Sequence, residues 1–153
     1  MKNEEGEASK VRIVREFAPV RCLVGRLAPD DDVLQTLEDF VREEDIRMGQ
    51  ITLLGALQRG ALGYYDQNTR KYQTITLDEH LEIASGVGNV SLREGKPALH
   101  VHLELSDRQG HCYGGHLVAG NVVFACEFCI FHLDGKPLSR SFDEYTGLTL
   151  WQE

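Results

Sequence analysis

An α+β domain is the fold class this sequence predicts, with one main amphipathic helix packed on a sheet, and three observations lead to it. Only one stretch, within residues 33–41, carries a helical apolar stripe. Nearly everything after Gly49 falls into strand-length apolar or alternating runs bounded by turn residues. The length of 153 residues gives a prior of one domain, and a chain of that size hides roughly 70% of the surface it exposes when unfolded.

The elements follow in order. Residues 1–10 are polar, acidic and carry a glycine, so they are expected to be a mobile tail, leaving 11–153 as the domain. Val11, Ile13, Arg15 and Phe17 alternate with Arg12, Val14 and Glu16, a period of two that predicts a strand, and a second extended run covers residues 20–27. Pro29 and the run Asp30-Asp31-Asp32 supply an N-cap and negative charge for the positive end of a helix. Val33, Leu34, Leu37, Phe40 and Val41 then form a single stripe, with Met48-Gly49 as the expected stop. The opposite face, Glu38, Asp39, Glu43 and Glu44, is expected to be solvated. Beyond it, runs at 51–57, 61–65, 71–77, 81–92, 98–105, 111–119, 122–132 and 147–151 are expected strands. Gly55 interrupts the first of these and predicts a bulge or a close backbone approach.

Composition narrows the function. A formal net charge of −8 repels phosphate backbones, so nucleic acid is not the partner it predicts. Arg12, Arg15, Arg21 and Arg26 read as solvated side chains on strands rather than a phosphate-binding patch. The first ten residues are charged and lack a signal-peptide apolar core, and no apolar run approaches the ~20 residues needed to span a bilayer. A cytoplasmic location with Cys22, Cys112, Cys126 and Cys129 reduced is therefore expected.

The chemistry concentrates in residues 99–117. Side chains alternate along a strand, so Leu99, Val101, Leu103 and Leu105 share the core face while His100, His102 and Glu104 share the other. Residues 106–110 are turn chemistry. If Leu105 pairs with His111, His102 lies opposite Gly114 and His100 opposite His116. Opposed Cβ atoms about 4.5–5.5 Å apart suit imidazoles that share one ion at about 2.0–2.1 Å. Two histidines at i, i+2 could be only a wet sheet surface. A third at a compatible register, beside space-clearing glycines, favours a divalent metal on His100, His102 and His116. Three protein ligands with an open fourth position describe zinc, although imidazole also suits nickel, copper and iron. Glu104 is a candidate orienter, fourth ligand or proton-transfer group.

The segments Leu99-His100-Val101-His102-Leu103, Ser106-Asp107 and Gly114-Gly115-His116-Leu117 resemble the signature of the plants and prokaryotes conserved (PPC) domain. Gly25, Leu54-Gly55-Ala56, the run Arg140 to Glu144 and Gly147-Leu148 extend the likeness to all but about the first ten residues. The resemblance implies a largely antiparallel sheet, homotrimeric assembly, and a metal on His100, His102 and His116. Plant relatives join the domain to AT-hook segments and act on chromatin. This chain has no such hook, since Gly25-Arg26-Leu27 is not one. The fold also looks like that of α-acetolactate decarboxylase, a zinc enzyme, which is analogy only.

Other motifs read more plainly. Cys126-x-x-Cys129 is expected to be two core thiols on a strand buried on both sides. Cys112 shares the face of His116 and is a minor ligand candidate; His80, His111 and His132 have no assigned role. Arg140 could bind an anion near the site or form a salt bridge. Gly86-x-Gly88 and Gly60-x-x-Gly63 lack the strand-to-helix context of a phosphate loop. Three functions compete: a metal-binding protein with a regulatory or small-molecule role, a metal-dependent lyase or hydrolase using Glu104 and Arg140 on a small anionic substrate, and a DNA-binding regulator.

Overall fold

The computed structural model describes residues 11–152. The expected mobile tail at 1–10 lies outside them. Among the described residues there is one helix, α1 (Val33–Glu43), and nine strands: β1 (Ala18–Leu27), β2 (Gly49–Asp66), β3 (Lys71–Leu77), β4 (Leu81–Arg93), β5 (Lys96–Ser106), β6 (Cys112–Leu117), β7 (Val122–Asp134), β8 (Ser139–Phe142) and β9 (Thr149–Gln152). One sheet runs β1-β7-β2-β6-β5-β4-β8-β9, with β3 on β2 and a further β2–β4 pairing. Every pairing is antiparallel except β4–β8. No helix among the described residues is long and apolar enough to cross a membrane.

Asp32 is the N-cap of α1; its carboxylate accepts from the Gln35 N–H at 3.0 Å and also from the Gly120 N–H at 2.6 Å. It therefore both starts the helix and ties it to the loop before β7. Asp32→Ala is expected to cost about 1–2 kcal/mol in denaturant unfolding, from the lost cap and the lost tether together. The helix ends earlier than Met48-Gly49 suggests. Asp45 adopts a left-handed φ of 47°, its N–H bonds the Arg42 carbonyl, and the Ile46 N–H reaches back to the Val41 carbonyl at 2.9 Å. That is a Schellman closure made without glycine, sealed by the buried Val41 and Ile46. The outer acidic face is not uniformly solvated: Glu38 is largely buried and bridges to Arg42 at 2.5 Å and Arg93 at 3.8 Å.

The apolar stripe of α1 buries Val33, Leu37 and Val41 against the sheet, together with Ile51, Leu53, Val101, Leu103, Leu105 and Ile130. Phe40 meets Phe128 with ring centroids 5.3 Å apart. Two strand predictions change. Residues 11–17 form no strand; alternation marks only an extended segment, and here Arg15 Nη1 donates to the Pro137 carbonyl at 3.0 Å, laying the segment along the turn after β7. The runs at 51–57 and 61–65 are one 18-residue strand that changes partners along its length, β4 and β7 first, then β3 and β6. The irregularity at Gly55 is present: φ is 142° and the β2–β4 register shifts beside it.

The registers set one cross-sheet row in line: Val24, Cys129, Thr52, Val87, His102 and His116. This row lies on the sheet face opposite the helix. That face also leaves Val24, Leu54, Val87 and Phe131 exposed.

Candidate metal centre

His100 and His102 project from β5 and His116 from β6, all away from the core leucines of those strands. The hairpin register differs from the one predicted. Leu105 pairs with Tyr113, not His111, which places His102 opposite His116 and Glu104 opposite Gly114. Asp107 sets that register. Its carboxylate accepts from the Gln109 N–H at 2.8 Å and the His111 N–H at 3.0 Å, meets His111 Nδ1 at 3.0 Å and accepts from the Tyr113 hydroxyl at 3.2 Å. These bonds outweigh burial and hold the Asp107 carboxyl below its ordinary range. His111 thereby stays in the loop instead of joining the ladder.

The shift leaves the triad intact, because His100 becomes the diagonal neighbour of His116 instead of its opposite. Ring centroids lie 5.4 Å apart for His100–His102, 5.2 Å for His100–His116 and 5.7 Å for His102–His116. One donor atom from each lies within 4.8 Å of the others, and no other described His, Cys, Asp or Glu joins the group. Ligation at about 2.0–2.1 Å asks the rings to draw in slightly. Glu104 lines the adjoining cavity but is not part of the cluster. Cys112 pairs with Ser106 at the far end of the hairpin and is likewise outside it.

Two features test whether this cluster suits an ion. His116 Nδ1 is buried with no hydrogen-bond partner, an orphaned atom whose lone pair a metal would satisfy. The His100 and His116 rings also favour the neutral, ligand-competent form. Desolvation, aided by Arg140, His116 and His102, pushes His100 down from 6.5 to about 4. Desolvation with His102, Arg140 and Arg93 lowers His116 as well. In metal-free protein His100 thus stays neutral where the unfolded chain takes up a proton, so stability is present above pH 6.5 and lost as pH falls toward 4. The ring is half solvated, so the expected loss is about 1–2 kcal/mol after screening. Urea melts of chelator-treated protein at pH 7 and pH 4.5 measure it against the same pair for His100→Gln.

A cavity of about 740 Å³ opens over the triad, lined also by Tyr72, Glu104 and Gly114. A Cβ on Gly114 would approach only the Leu103 carbonyl, at 3.9 Å, so the space there is open. A second cavity of about 420 Å³ adjoins His100 and His116 and gathers Arg70, Arg93 and Arg140. Arg140 forms no salt bridge within 4.0 Å among the described residues. Its Nε donates to Ser91 Oγ at 3.0 Å, Nη2 to Asn89 Oδ1 at 2.9 Å and Nη1 to the Thr149 carbonyl at 3.4 Å. Trp151 stacks 4.9 Å from its guanidinium carbon and shares Ser91 Oγ. Three of its five N–H donors are thus used, all on neutral oxygens. Asn89, Ser91, Arg93 and Trp151 escaped the sequence reading. Asn89 pairs across from His100, and strand periodicity would have put Ser91 and Arg93 on the same face had the β4–β5 register been known.

Comparison with known proteins finds the same fold. A metal-containing protein from Archaeoglobus fulgidus is similar over 93% of this chain and 100% of its own, with 40% identity and a TM-score of 0.88. A plant- and prokaryote-conserved protein from Pyrococcus horikoshii matches over 93% and 98%, at 32% identity and a TM-score of 0.86. A candidate DNA-binding protein from Ralstonia eutropha matches over 85% and 90%, at 27% identity and a TM-score of 0.76. Among curated proteins, the bifunctional protein GlmU of a Synechococcus strain is 34% identical over 124 residues, covering 80% of this chain and 19% of that protein. The chain therefore spans about a fifth of the length of the curated relatives it matches. With the fold, the histidine hairpin and a family model matching residues 14–134 all in agreement, the chain belongs to the Plants and Prokaryotes Conserved (PCC) domain family.

Proposed function

We propose that this protein binds one divalent metal ion, zinc in the first instance, through His100, His102 and His116. The observation that carries the reading is the convergence of three imidazoles around one point, including a buried Nδ1 on His116 that lacks any other partner. The likeness to a metal-containing archaeal protein supports it. Protein purified without chelators should carry about one ion per chain by plasma mass spectrometry, and zinc should head the list. A negligible content, not restored by dialysis against zinc, nickel or iron, would remove the proposal.

A second reading, metal-assisted lyase or hydrolase chemistry on a small anionic substrate, rests on the cation-rich cavity beside the triad. An ion bound there would polarise a carbonyl or lower the pKa of a bound water. Glu104, exposed on the wall of the larger cavity over the triad, would move a proton, and Arg140, in the adjoining cavity, would hold an anionic group with its two unused N–H donors. Arg140→Gln is expected to weaken binding of a small carboxylate such as oxalate about 10–100-fold by calorimetry, since a charge-assisted pair becomes a neutral one. Unchanged affinity would dismiss Arg140 from that role.

We infer homotrimeric assembly and a cytoplasmic location as well. The exposed Leu54 and Val87 on the histidine face support association with further copies, and sedimentation at the monomer mass would exclude it. The net charge of −8 argues against DNA as the ligand.

A further inference from the structure

The apolar run around Cys126 and Cys129 predicts two core thiols. Only Cys126 fits that description: it is fully buried on the core side, and burial pushes its thiol up to about 11. Cys129 points to the opposite face and is partly exposed. Its partner there is Cys22 of β1, itself exposed, with the two sulfurs 3.3 Å apart. The registers Cys22↔Phe131 and Val24↔Cys129 make them diagonal neighbours on the same face of an antiparallel pair.

We propose that Cys22 and Cys129 are a reversible redox-modification site, forming one intrachain disulfide under oxidising challenge. A disulfide requires about 2.05 Å between sulfurs, so the pair must draw together, and the fold allows it. β1 is the outermost strand of its end of the sheet, and its register already slips between Pro19 and Arg21, immediately before Cys22. A diagonal pair on exposed strands is bridged with some strain. Strained, exposed disulfides are the easily reduced, regulatory ones. The site is therefore dithiol in a reducing compartment and closes only when the thiol pool is oxidised.

The chemistry balances with a low-molecular-weight disulfide as oxidant. The Cys22 thiolate, the more exposed sulfur, attacks it and expels one small thiol, leaving a mixed disulfide. The Cys129 thiolate then attacks the Cys22 sulfur and expels the second. Two protein thiols lose two electrons and two protons, and one small disulfide becomes two small thiols. The Cys129 thiol is raised by its hydrogen bond to Cys22, in keeping with Cys22 as the first nucleophile and Cys129 as the resolving one. The product pins edge strand β1 to β7 across a 107-residue interval of chain. Cys129 and His102 share a cross-sheet row with Thr52 and Val87 between them, roughly 14 Å apart at ~4.8 Å per strand, so the pair is separate from the histidine centre.

The full-length protein would be incubated with oxidised glutathione, acid-quenched, alkylated after denaturation and peptide-mapped. Of the four cysteines, two should lose reactivity, the peptides of Cys22 and Cys129 should be joined, and dithiothreitol should restore four labels. Cys129→Ser should instead trap glutathione on Cys22. Four labels after oxidation, a stable glutathione adduct on wild-type Cys22, or a bridge that uses Cys112 would each overturn the proposal. None of these outcomes depends on metal content.

Discussion

His116→Ala is expected to lower bound metal from about one ion per chain to below about a tenth, without unfolding the protein. Removing one of three ligands takes away a direct bond to the ion, whereas loss of a group that only hydrogen-bonds to a ligand already costs about 10–100-fold in affinity. His100→Ala should behave alike, since its ring is equally central to the triad, at 5.4 Å and 5.2 Å from the other two. The fold should tolerate both changes. All three histidines lie on the face away from α1, and none belongs to the hydrophobic core. His111→Ala is the control, because that ring caps the β5–β6 loop on Asp107 and lies outside the cluster. Plasma mass spectrometry with far-ultraviolet circular dichroism reads all of these variants. Retention of a full equivalent by His116→Ala would sink the assignment, and loss from His111→Ala would show that the loop, not the triad, governs binding.

The histidine triad was legible in the sequence because it depends on strand alternation, which survives an error in register. His100 and His102 share a face whichever residue opposes them. His116 reaches them from either of two alignments, directly opposite one ring and diagonal to the other. The register itself was not legible. It is fixed by Asp107, whose carboxylate organises the loop through four hydrogen bonds from three residues, and turn composition alone does not say how many residues a loop will hold. The helix was read correctly at its start, where a side-chain cap is visible in the chain, and too long at its end, where Asp45 takes a left-handed conformation that glycine more often supplies. The arginine-rich cavity was hidden because it is assembled from β4, β8 and the segments around residues 70 and 147. Of its arginines, only Arg140 stands out in the sequence, just after a turn. Its holding partners, Asn89, Ser91 and Trp151, lie 51, 49 and 11 positions away in sequence or come together only through the β4–β8–β9 pairings.

Gly88→Ala is expected to destabilise the protein by about 3 kcal/mol, the upper part of the range for overpacking, and to damage the metal centre at the same time. Gly88 belongs to a short glycine pattern that does not cradle phosphate; its role is close packing of strands. It pairs with Val101, the residue between His100 and His102. A Cβ there would sit 2.2 Å from the His100 carbonyl oxygen and 2.6 Å from Val101 Cα. Those are backbone atoms, so no rotamer change relieves the clash. Either β4 or β5 must move. β4 is held on its other side by β2, so the displacement falls largely on β5, which carries two of the three ligands. Loss of stability and loss of metal should therefore arrive together, the second by at least about 10-fold. Gly114→Ala separates this account from a general intolerance of the hairpin. Its added Cβ would meet only one atom, at 3.9 Å, so its stability should stay within about 0.5 kcal/mol of the parent. Urea melts and metal titrations on the two variants decide the matter: if Gly88→Ala matches the parent in both, the strands do not approach there as closely as the geometry requires, and the two histidines of β5 must be positioned by something other than the β4–β5 contact.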